Sequence, residues 1–440
     1  MSFVRNAASI LATTAATIPL ALLANVILAR FLSGSDRGVY ALATGFALVA
    51  QVVAHLGWGD AAIYRLRRHR IAPSRVFATG FAANLVLCFL MFAVCFAFER
   101  PIVEHLLGGM PRELYWVAVF TAACFLLGDF LRGIARGLDR FDLHNWFGFL
   151  QAAGLLAGLV LALVTWQGGL AGALYVYLAV QAALAAVLGV IIVRLTGVEH
   201  RVDMLEVREH LSFGLGLYPQ ALLKQLHERI DIFILAWLAV ATAEIGLYAV
   251  AVSVIIPLQL IPGAIGTALL PELAGREDES LADFSAAVAR QISMQMAAAA
   301  AVMVPAGIIG IPILFGSEYR GSILPFLIVL PGLCALATSR VLSRYFAIVG
   351  RQGTLTSIRT GAVVLNVALN LVLIPLLGIN GAALAALISY LAETIVVAAL
   401  FVSVSGLSLG QAFAWRRRDL DPYVARSREV WNLARRRAGI

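Results

Sequence analysis

Five ionisable residues crowd into eight consecutive positions of one otherwise apolar segment, the seventh along the chain: Lys224, His227, Glu228, Arg229 and Asp231. Charged side chains are costly in a bilayer, so they usually face a cavity or a path for ions. On a helix, Lys224, Glu228 and Asp231 share one face, and Arg229 points to another side. Two interpretations follow: a wet face that contacts a polar or anionic substrate, or an internally paired Lys–Glu and His–Asp ladder that only positions the helix.

Three more ionisable residues interrupt apolar segments. Arg340 lies well inside the tenth segment, and Arg30 lies at the outer end of the first. With Lys224 and Arg229 they are the candidate substrate-binding cations. Glu393, near the middle of the twelfth segment, either carries a coupling proton or is a neutral packing group. The candidate ion-coupling residues are His227, Glu228, Asp231 and Glu393. We predict no catalytic residue.

No metal site or cofactor is predicted, apart from H+ or Na+ as a coupling ion. All four cysteines lie in apolar stretches, with spacing that fits neither disulfides nor zinc, so we expect small core residues. They are Cys88, Cys95, Cys124 and Cys334.

Apolar stretches that would hold these side chains recur along nearly the whole chain. Hydrophobic residues make up 61% of the 440 positions and charged residues only 13%, about half the charge of a soluble protein. A helix of about 20 apolar residues spans a membrane. The sequence therefore predicts an all-α polytopic membrane protein with twelve transmembrane helices, at 7–29, 39–56, 76–98, 114–134, 146–166, 170–193, 213–238, 245–270, 292–314, 323–348, 360–377 and 381–404.

The arginines set the predicted orientation. With both termini cytoplasmic, 25 arginines fall on the inner side and 5, including Arg37, on the outer side. Basic residues concentrate in cytoplasmic loops. This bias also explains the net charge of +8 without nucleic acid as a partner.

Short motifs recur at a nearly constant separation. Ile27-Leu28-Ala29 matches Ile234-Leu235-Ala236, and Gly38-Val-Tyr40-Ala matches Gly246-Leu-Tyr248-Ala. Duplication inside an apolar chain is typical of membrane transporters. Six helices per repeat make both repeats enter the membrane from the same side. We therefore expect two six-helix lobes, related by a pseudo-twofold axis along the membrane normal, with a cleft between them.

The predicted domains are an N-terminal lobe at 1–204, a C-terminal lobe at 205–405 and a basic cytoplasmic tail at 406–440. The tail has a plausible helix start at Asp421-Pro422. Arginines around an apolar face there would bind anionic lipid headgroups. A partly disordered tail that only fixes the topology is the alternative.

These residues together resemble the polysaccharide and oligosaccharide flippases of the multidrug/oligosaccharidyl-lipid/polysaccharide (MOP) exporter superfamily. The resemblance covers nearly the whole chain and rests on Asn6, Leu28-Ala29-Arg30-Phe31-Leu32, Gly38-Val-Tyr40-Ala-Leu-Ala, Leu56-Gly57, Arg229-Ile-Asp231, Ile245-Gly246-Leu-Tyr248-Ala and Leu270-Pro271-Glu272-Leu273. Each motif is short, and their order and spacing carry the specificity.

The resemblance implies a secondary transporter that flips an isoprenoid-diphosphate-linked oligosaccharide across a bacterial inner membrane by alternating access. Arg30, Lys224, Arg229 and Arg340 could neutralise a diphosphate. Expected partners are the lipid-linked glycan, membrane lipids and the polysaccharide polymerase or export machinery.

Other functions remain as alternatives. A cation-coupled drug exporter of the same superfamily would favour carboxylates and aromatic residues in its cavity. A membrane glycan polymerase or ligase generally needs a large external loop, whereas the longest outer loop here spans 99–113. A scaffold of polysaccharide assembly is a third alternative, which the buried charges disfavour. No GxxxxGK[ST] motif indicates nucleotide-driven transport.

Overall fold

A computed structural model describes residues 2–69, 71–197, 199, 203–255, 258, 278–416 and 419. For residues 2–12, 14, 15 and 278–280 it describes the backbone alone. Within these ranges every regular element is helical. The predicted tail helix at Asp421-Pro422, the motif at 270–273 and the end of the predicted eighth span lie outside the described residues.

Seven principal helices form the first half of the chain, apart from the short helix Glu99–Pro101 and the π-helical turn Ile102–Leu106. They are α1 (Ser2–Phe31), α2 (Gly34–Ala54), α3 (Trp58–Arg68), α4 (Pro73–Ala97), α5 (Arg112–Gly137), α6 (Phe141–Leu159) and α7 (Gly169–Thr196). Ser33 caps α2 by accepting a hydrogen bond from the Asp36 amide at 3.0 Å. A π-helical turn, Val160–Thr165, extends α6.

Six principal helices form the described part of the second half, apart from short helices such as the 3-10 helix Ser317–Ser322. They are α8 (Met204–Trp237), α9 (Thr242–Ile255), α10 (Asp278–Gly310), α11 (Ile323–Ile348), α12 (Gln352–Leu377) and α13 (Ile379–Ser405). The Asp203 side chain caps α8 by accepting hydrogen bonds from the amides of Leu205 and Glu206. A π-helical turn, Ile311–Phe315, extends α10, and the short helix Leu409–Phe413 follows α13.

The prediction of twelve membrane helices is confirmed. Nine helices of the described chain are long and apolar enough to cross a bilayer, and Ala16–Phe31 and Thr242–Ile255 are shorter apolar helices. The twelfth is α8, whose apolar character is reduced by its charges. Several helices begin earlier than predicted: α8 begins at Met204 rather than 213, α10 at Asp278 rather than 292 and α12 at Gln352 rather than 360. The segment expected as a basic loop forms α3.

The two lobes meet where the repeat predicts their axis. A Cβ on Gly38 of α2 would lie 1.9 Å from the Thr242 carbonyl oxygen, and one on Gly246 of α9 would lie 2.4 Å from the Gly34 carbonyl oxygen. Gly38 and Gly246 occupy equivalent positions in the two repeats, as do Gly34 and Thr242. These reciprocal contacts are those of a twofold interface. We call this contact region between α2 and α9 the closed end; the predicted topology makes it the outer one.

Candidate functional site

A cavity of about 480 Å³ lies between the lobes, next to the closed end. Its walls come from α1, α2, α6 and α7 of the first half and from α8 and α9 of the second. Its charged or polar lining residues are Thr17, Asn25, Arg37, Tyr40, Thr44, Gln151, Tyr177, Glu228, Arg229, Asp231, Tyr248 and Ser253. A pocket with a few convergent polar groups is the ordinary form of a ligand site.

Arg229 brings a cation into this inter-lobe cavity from α8. Its side chain is half-buried, and no carboxylate of the described residues forms an ion pair with it. A partly desolvated guanidinium without a carboxylate retains its capacity for charge-assisted hydrogen bonds to an anion. Among the predicted cations, Arg229 therefore has the best placement for binding an anionic ligand.

Arg37, which was expected in an outer loop region, is a second cation of this cavity. It belongs to the first turns of α2 and is only 4% exposed. Its Nη2 donates to Asn25 Oδ1 at 2.7 Å, and its guanidinium lies 5.6 Å from the ring centre of Tyr40. Sequence reasoning missed Arg37 because a charge near a helix start reads as exposed.

Glu228 and Arg340 neutralise each other across the second lobe. Arg340 Nη2 lies 2.6 Å from Glu228 Oε1, and both side chains are half-buried. Arg340 thus comes from α11 to the edge of the cavity already paired. The intrahelical ladder predicted as an alternative is not the observed pairing, because the partner of Glu228 is on another helix.

Asp231 lies at the wall of the cavity within a set of hydrogen bonds. The Tyr248 hydroxyl donates to Oδ2 and Asn370 Nδ2 donates to Oδ1, each at 2.8 Å. Asn370 also lies 3.0 Å from Asn366 Oδ1, and Asn366 donates to the Ser389 hydroxyl at 3.3 Å. These groups are buried and connect α8, α9, α12 and α13.

His227 and Glu393 continue this polar set deeper into the second lobe. His227 Nδ1 lies 3.1 Å from Glu393 Oε2, and its Nε2 lies 3.2 Å from the Ser389 hydroxyl. Arg359 of α12 lies 3.5 Å from the other Glu393 oxygen. We call the set from Asp231 through Asn370, Asn366, Ser389 and His227 to Glu393 and Arg359 the polar chain.

The remaining two predicted cations lie elsewhere. Arg30 is exposed at the end of α1, where Nε donates to the Leu314 carbonyl at 2.8 Å and Nη2 to that of Ile313. It thereby ties α1 to the end of α10. Lys224 is exposed on α8, three residues before His227, and is not among the residues that line the cavity. Their roles in binding stay predictions.

Sequence reasoning also missed Asn366, Asn370 and Arg359. The two asparagines are four residues apart in an apolar helix, a spacing that puts both on one face. This spacing could have indicated a buried polar face on the helix. The sequence does not predict the contact between Arg359 and Glu393, because the two residues lie 34 positions apart on different helices.

Comparison with known proteins identifies the family. A family model described as polysaccharide biosynthesis protein matches residues 27–324. The chain belongs to this family. No curated protein sequence matches it at a significant level.

Solved structures similar to this polysaccharide biosynthesis protein include transporters and a flippase. An inward-facing multidrug resistance MATE family transporter of the MOP superfamily is 17% identical, with 91% of this chain and 98% of that chain covered and a TM-score of 0.73. The lipid II flippase MurJ in an inward closed conformation is 12% identical, with 90% and 89% covered and a TM-score of 0.70. A MOP superfamily transporter from Pyrococcus furiosus is 14% identical, with 92% and 96% covered and a TM-score of 0.66.

These findings confirm the twelve-helix, two-lobe MOP fold. The chain is a multi-pass helical membrane protein of the polysaccharide biosynthesis family, and its fold is that of the MOP superfamily transporters.

Proposed function

We propose that this protein flips an isoprenoid-diphosphate-linked oligosaccharide across a bacterial inner membrane, with both termini in the cytoplasm. The observation that carries the proposal is Arg229 in the inter-lobe cavity, which has no carboxylate partner among the described residues. A diphosphate head group needs cationic donors in a water-filled site, and the glycan needs a polar one. The family of polysaccharide biosynthesis proteins and the fold shared with a lipid II flippase support the proposal.

The charge balance of the cavity favours this proposal over a cation-coupled drug exporter. Both carboxylates on its wall are already engaged, Glu228 by Arg340 and Asp231 by hydrogen bonds from Tyr248 and Asn370. A cationic drug would have to displace those partners. Arg229 and Arg37 have no carboxylate partner among the described residues, so the cavity attracts anions.

The test is leaflet transfer of a fluorescent isoprenoid-diphosphate oligosaccharide in liposomes that contain the purified protein. Arg229→Gln should slow transfer at least about tenfold, because hydrogen bonds to a charged group contribute about 1.5–3 kcal/mol. Arg208→Gln, an exposed change on the same helix, and the exposed Arg320→Gln are controls with unchanged rates. Equal rates in the wild type and in Arg229→Gln would contradict the proposed site. No transfer by the wild type would contradict the function.

We further propose that the carboxylates of the polar chain couple this transfer to H+ or Na+. Asp231 lies at the cavity wall, and Glu393 lies near the opposite end of the polar chain. An ion bound at these carboxylates would therefore act on the same helices as a substrate bound in the cavity. In Asp231→Asn and Glu393→Gln, an imposed H+ or Na+ gradient should no longer accelerate transfer, while transfer without a gradient continues. Unchanged acceleration by both gradients in both variants would contradict this role.

A further inference from the structure

We infer that Arg37 is a second anion-binding residue of the inter-lobe cavity and that, with Arg229 of the opposite lobe, it brackets the diphosphate of the substrate. This inference rests on the proposed function and adds a residue that lies outside the predicted set of cavity cations. Arg37 comes from α2 of the first lobe, and Arg229 comes from α8 of the second.

Arg37 is buried, and no carboxylate of the part of the chain that the structure describes forms an ion pair with it. Its guanidinium donates a hydrogen bond to the neutral Asn25 and lies over the face of Tyr40, and its Nε has no hydrogen-bond partner among the described residues. A buried charge is costly unless it is paired and hydrogen-bonded. The first turns of α2 add to this cost, because the N-terminal end of a helix disfavours a cation.

Asn25 holds Arg37 in this state. Its Nδ2 donates to the Ala21 carbonyl at 2.9 Å, which turns Oδ1 toward Arg37. A neutral oxygen orients the guanidinium without neutralising it. The Nη donors of Arg37 that Asn25 does not use are therefore available to a ligand in the cavity that Arg37 lines.

The fold itself does not require an arginine at this position. The repeat pairs Arg37 with Ile245, which is fully buried at the start of α9. Both positions lie at the closed end, next to Gly38 and Gly246. Since an apolar side chain packs at the equivalent position, the charge of Arg37 calls for another explanation, and an anionic ligand supplies it.

A diphosphate bound between the two lobes would also influence how the lobes move apart. Arg37 is on α2 of the first lobe, beside the α2–α9 contact of the closed end, and Arg229 is on α8 of the second lobe. A diphosphate bound by both would place its negative charge between two cations of different lobes. Its arrival would change the electrostatic interaction across the interface that must separate during alternating access.

The experiment measures binding of radiolabelled farnesyl diphosphate, farnesyl monophosphate and farnesol to the purified full chain. The wild type should prefer the diphosphate. Arg37→Gln should bind the diphosphate at least about tenfold more weakly, as expected for a lost charged donor. Asn25→Asp, which supplies Arg37 with a carboxylate, should weaken binding in the same way. The exposed Arg320→Gln is the control with wild-type affinity.

Two further readouts separate binding from a structural role. In the absence of ligand, Arg37→Gln should keep or raise the unfolding temperature, because it removes an uncompensated buried charge. The losses in Arg37→Gln and Arg229→Gln should not add in the double variant, because both residues would contact one ligand group. Arg37→Lys should retain part of the preference for the diphosphate.

The outcomes distinguish this inference from the proposed function. Wild-type affinity in both Arg37→Gln and Asn25→Asp, with a loss in Arg229→Gln, would overturn the role of Arg37 and leave the proposed function standing. A lower unfolding temperature in Arg37→Gln together with unchanged affinity would assign it a structural role instead. A wild type without preference for the diphosphate over farnesol would overturn both.

Discussion

Buried charges of the second lobe find their partners on other helices. Glu393 of α13 lies between His227 of α8 and Arg359 of α12, with contacts of 3.1 and 3.5 Å. Three helices thus share one charged centre inside the lobe. Because such a centre is stable only while its charges balance, each member constrains the protonation and the position of the others.

The first prediction concerns the charge of Glu393. Glu393→Gln keeps the shape of the side chain but leaves Arg359 without a carboxylate. Removing one member of a buried pair destabilises a protein by about 3–5 kcal/mol. We expect the low end of this range, since the Arg359 side chain is 17% exposed. Unfolding of the purified protein in detergent measures the effect, and the exposed Glu113→Gln is the control. Equal stability of the Glu393→Gln variant and the wild type would contradict the pairing.

For individual residues, the sequence shows which charged side chains lie in apolar helices but not which groups they contact. The positions of Arg229, Asp231 and Glu393 inside apolar helices were sufficient to single them out. Arg340 lies in an apolar helix but is paired with Glu228, whereas Arg37 lies near the start of a helix and lines the cavity. The sequence alone predicted neither outcome. Partners depend on which helix faces are adjacent, and that is a property of the folded lobe.

Among the elements, α3 attaches the first lobe to the start of α8. Arg65 of α3 donates to both Glu206 oxygens, at 3.1 and 2.7 Å, and also pairs with Glu209. Tyr64 stacks on Phe213 with ring centres 4.0 Å apart, and Trp58 stacks on His210 at 4.9 Å. A helix of the second half is therefore held at one end by the first half.

The second prediction tests this attachment. Arg65→Gln leaves Glu206 buried without its cation and should lower the free energy of unfolding by about 3 kcal/mol. A double-mutant cycle with Glu206→Gln should return a coupling energy above about 1 kcal/mol. Arg68→Gln, an exposed change on the same helix, is the control. Additive effects of Arg65→Gln and Glu206→Gln would show that the pair does not hold α3 to α8.

A smaller attachment joins the segment after α13 to α10. Asp419 accepts hydrogen bonds from Arg290 Nε at 2.9 Å and Nη2 at 3.2 Å, and Trp415 Nε1 donates to the Ser293 hydroxyl at 3.0 Å. Burial alone would raise the pKa of Asp419. The hydrogen bonds from Arg290 and from the Arg416 amide outweigh it, so the pKa lies below its usual value of 3.8.

The third prediction follows from the sign of that shift. A carboxylate with a depressed pKa in the folded state contributes stability above its unfolded pKa, and this is lost as the pH falls through the folded pKa. The attachment should therefore be unchanged between about pH 8 and pH 5. Asp419→Asn should release it at every pH, seen as faster hydrogen exchange in Leu409–Phe413. The control is the exposed Asp283→Asn on α10. A wild-type attachment that weakens between pH 8 and pH 5 would contradict this reasoning.

Elements were predictable to the extent that length and hydropathy define them. The predicted 323–348 span coincides with α11, Ile323–Ile348, because apolar residues fill it from end to end. The short, basic α3 escaped prediction because its three arginines near the end resemble a loop. The early start of α8 escaped because polar residues fill its first turns, where the Asp203 cap and the contacts to α3 stabilise them.

In the whole molecule, the closed end is formed by equivalent positions of the two sequence repeats. Gly34, Gly38 and Gly246 let α2 and α9 approach until backbone contacts backbone, and equivalent residues make the contact from both sides. The lobes are also joined there by Arg30 and the turn after α10. In the proposed alternating-access mechanism this end must open, and the closed end would then be the barrier to substrate in the state described.

The fourth prediction locks that barrier. The hydroxyls of Ser35 on α2 and Thr242 on α9 lie 2.6 Å apart across the closed end, so cysteines at both positions should form a disulfide. In a background in which Cys88, Cys95, Cys124 and Cys334 are replaced, oxidised Ser35→Cys/Thr242→Cys should not transfer substrate between leaflets. Reduction should restore transfer, and neither single variant should respond to oxidant. Because the disulfide holds the lobes together only at this end, binding of farnesyl diphosphate should persist in the oxidised protein. Undiminished transfer in fully crosslinked protein would mean that substrate crosses without separation of α2 from α9, and the alternating-access model for this protein would fail.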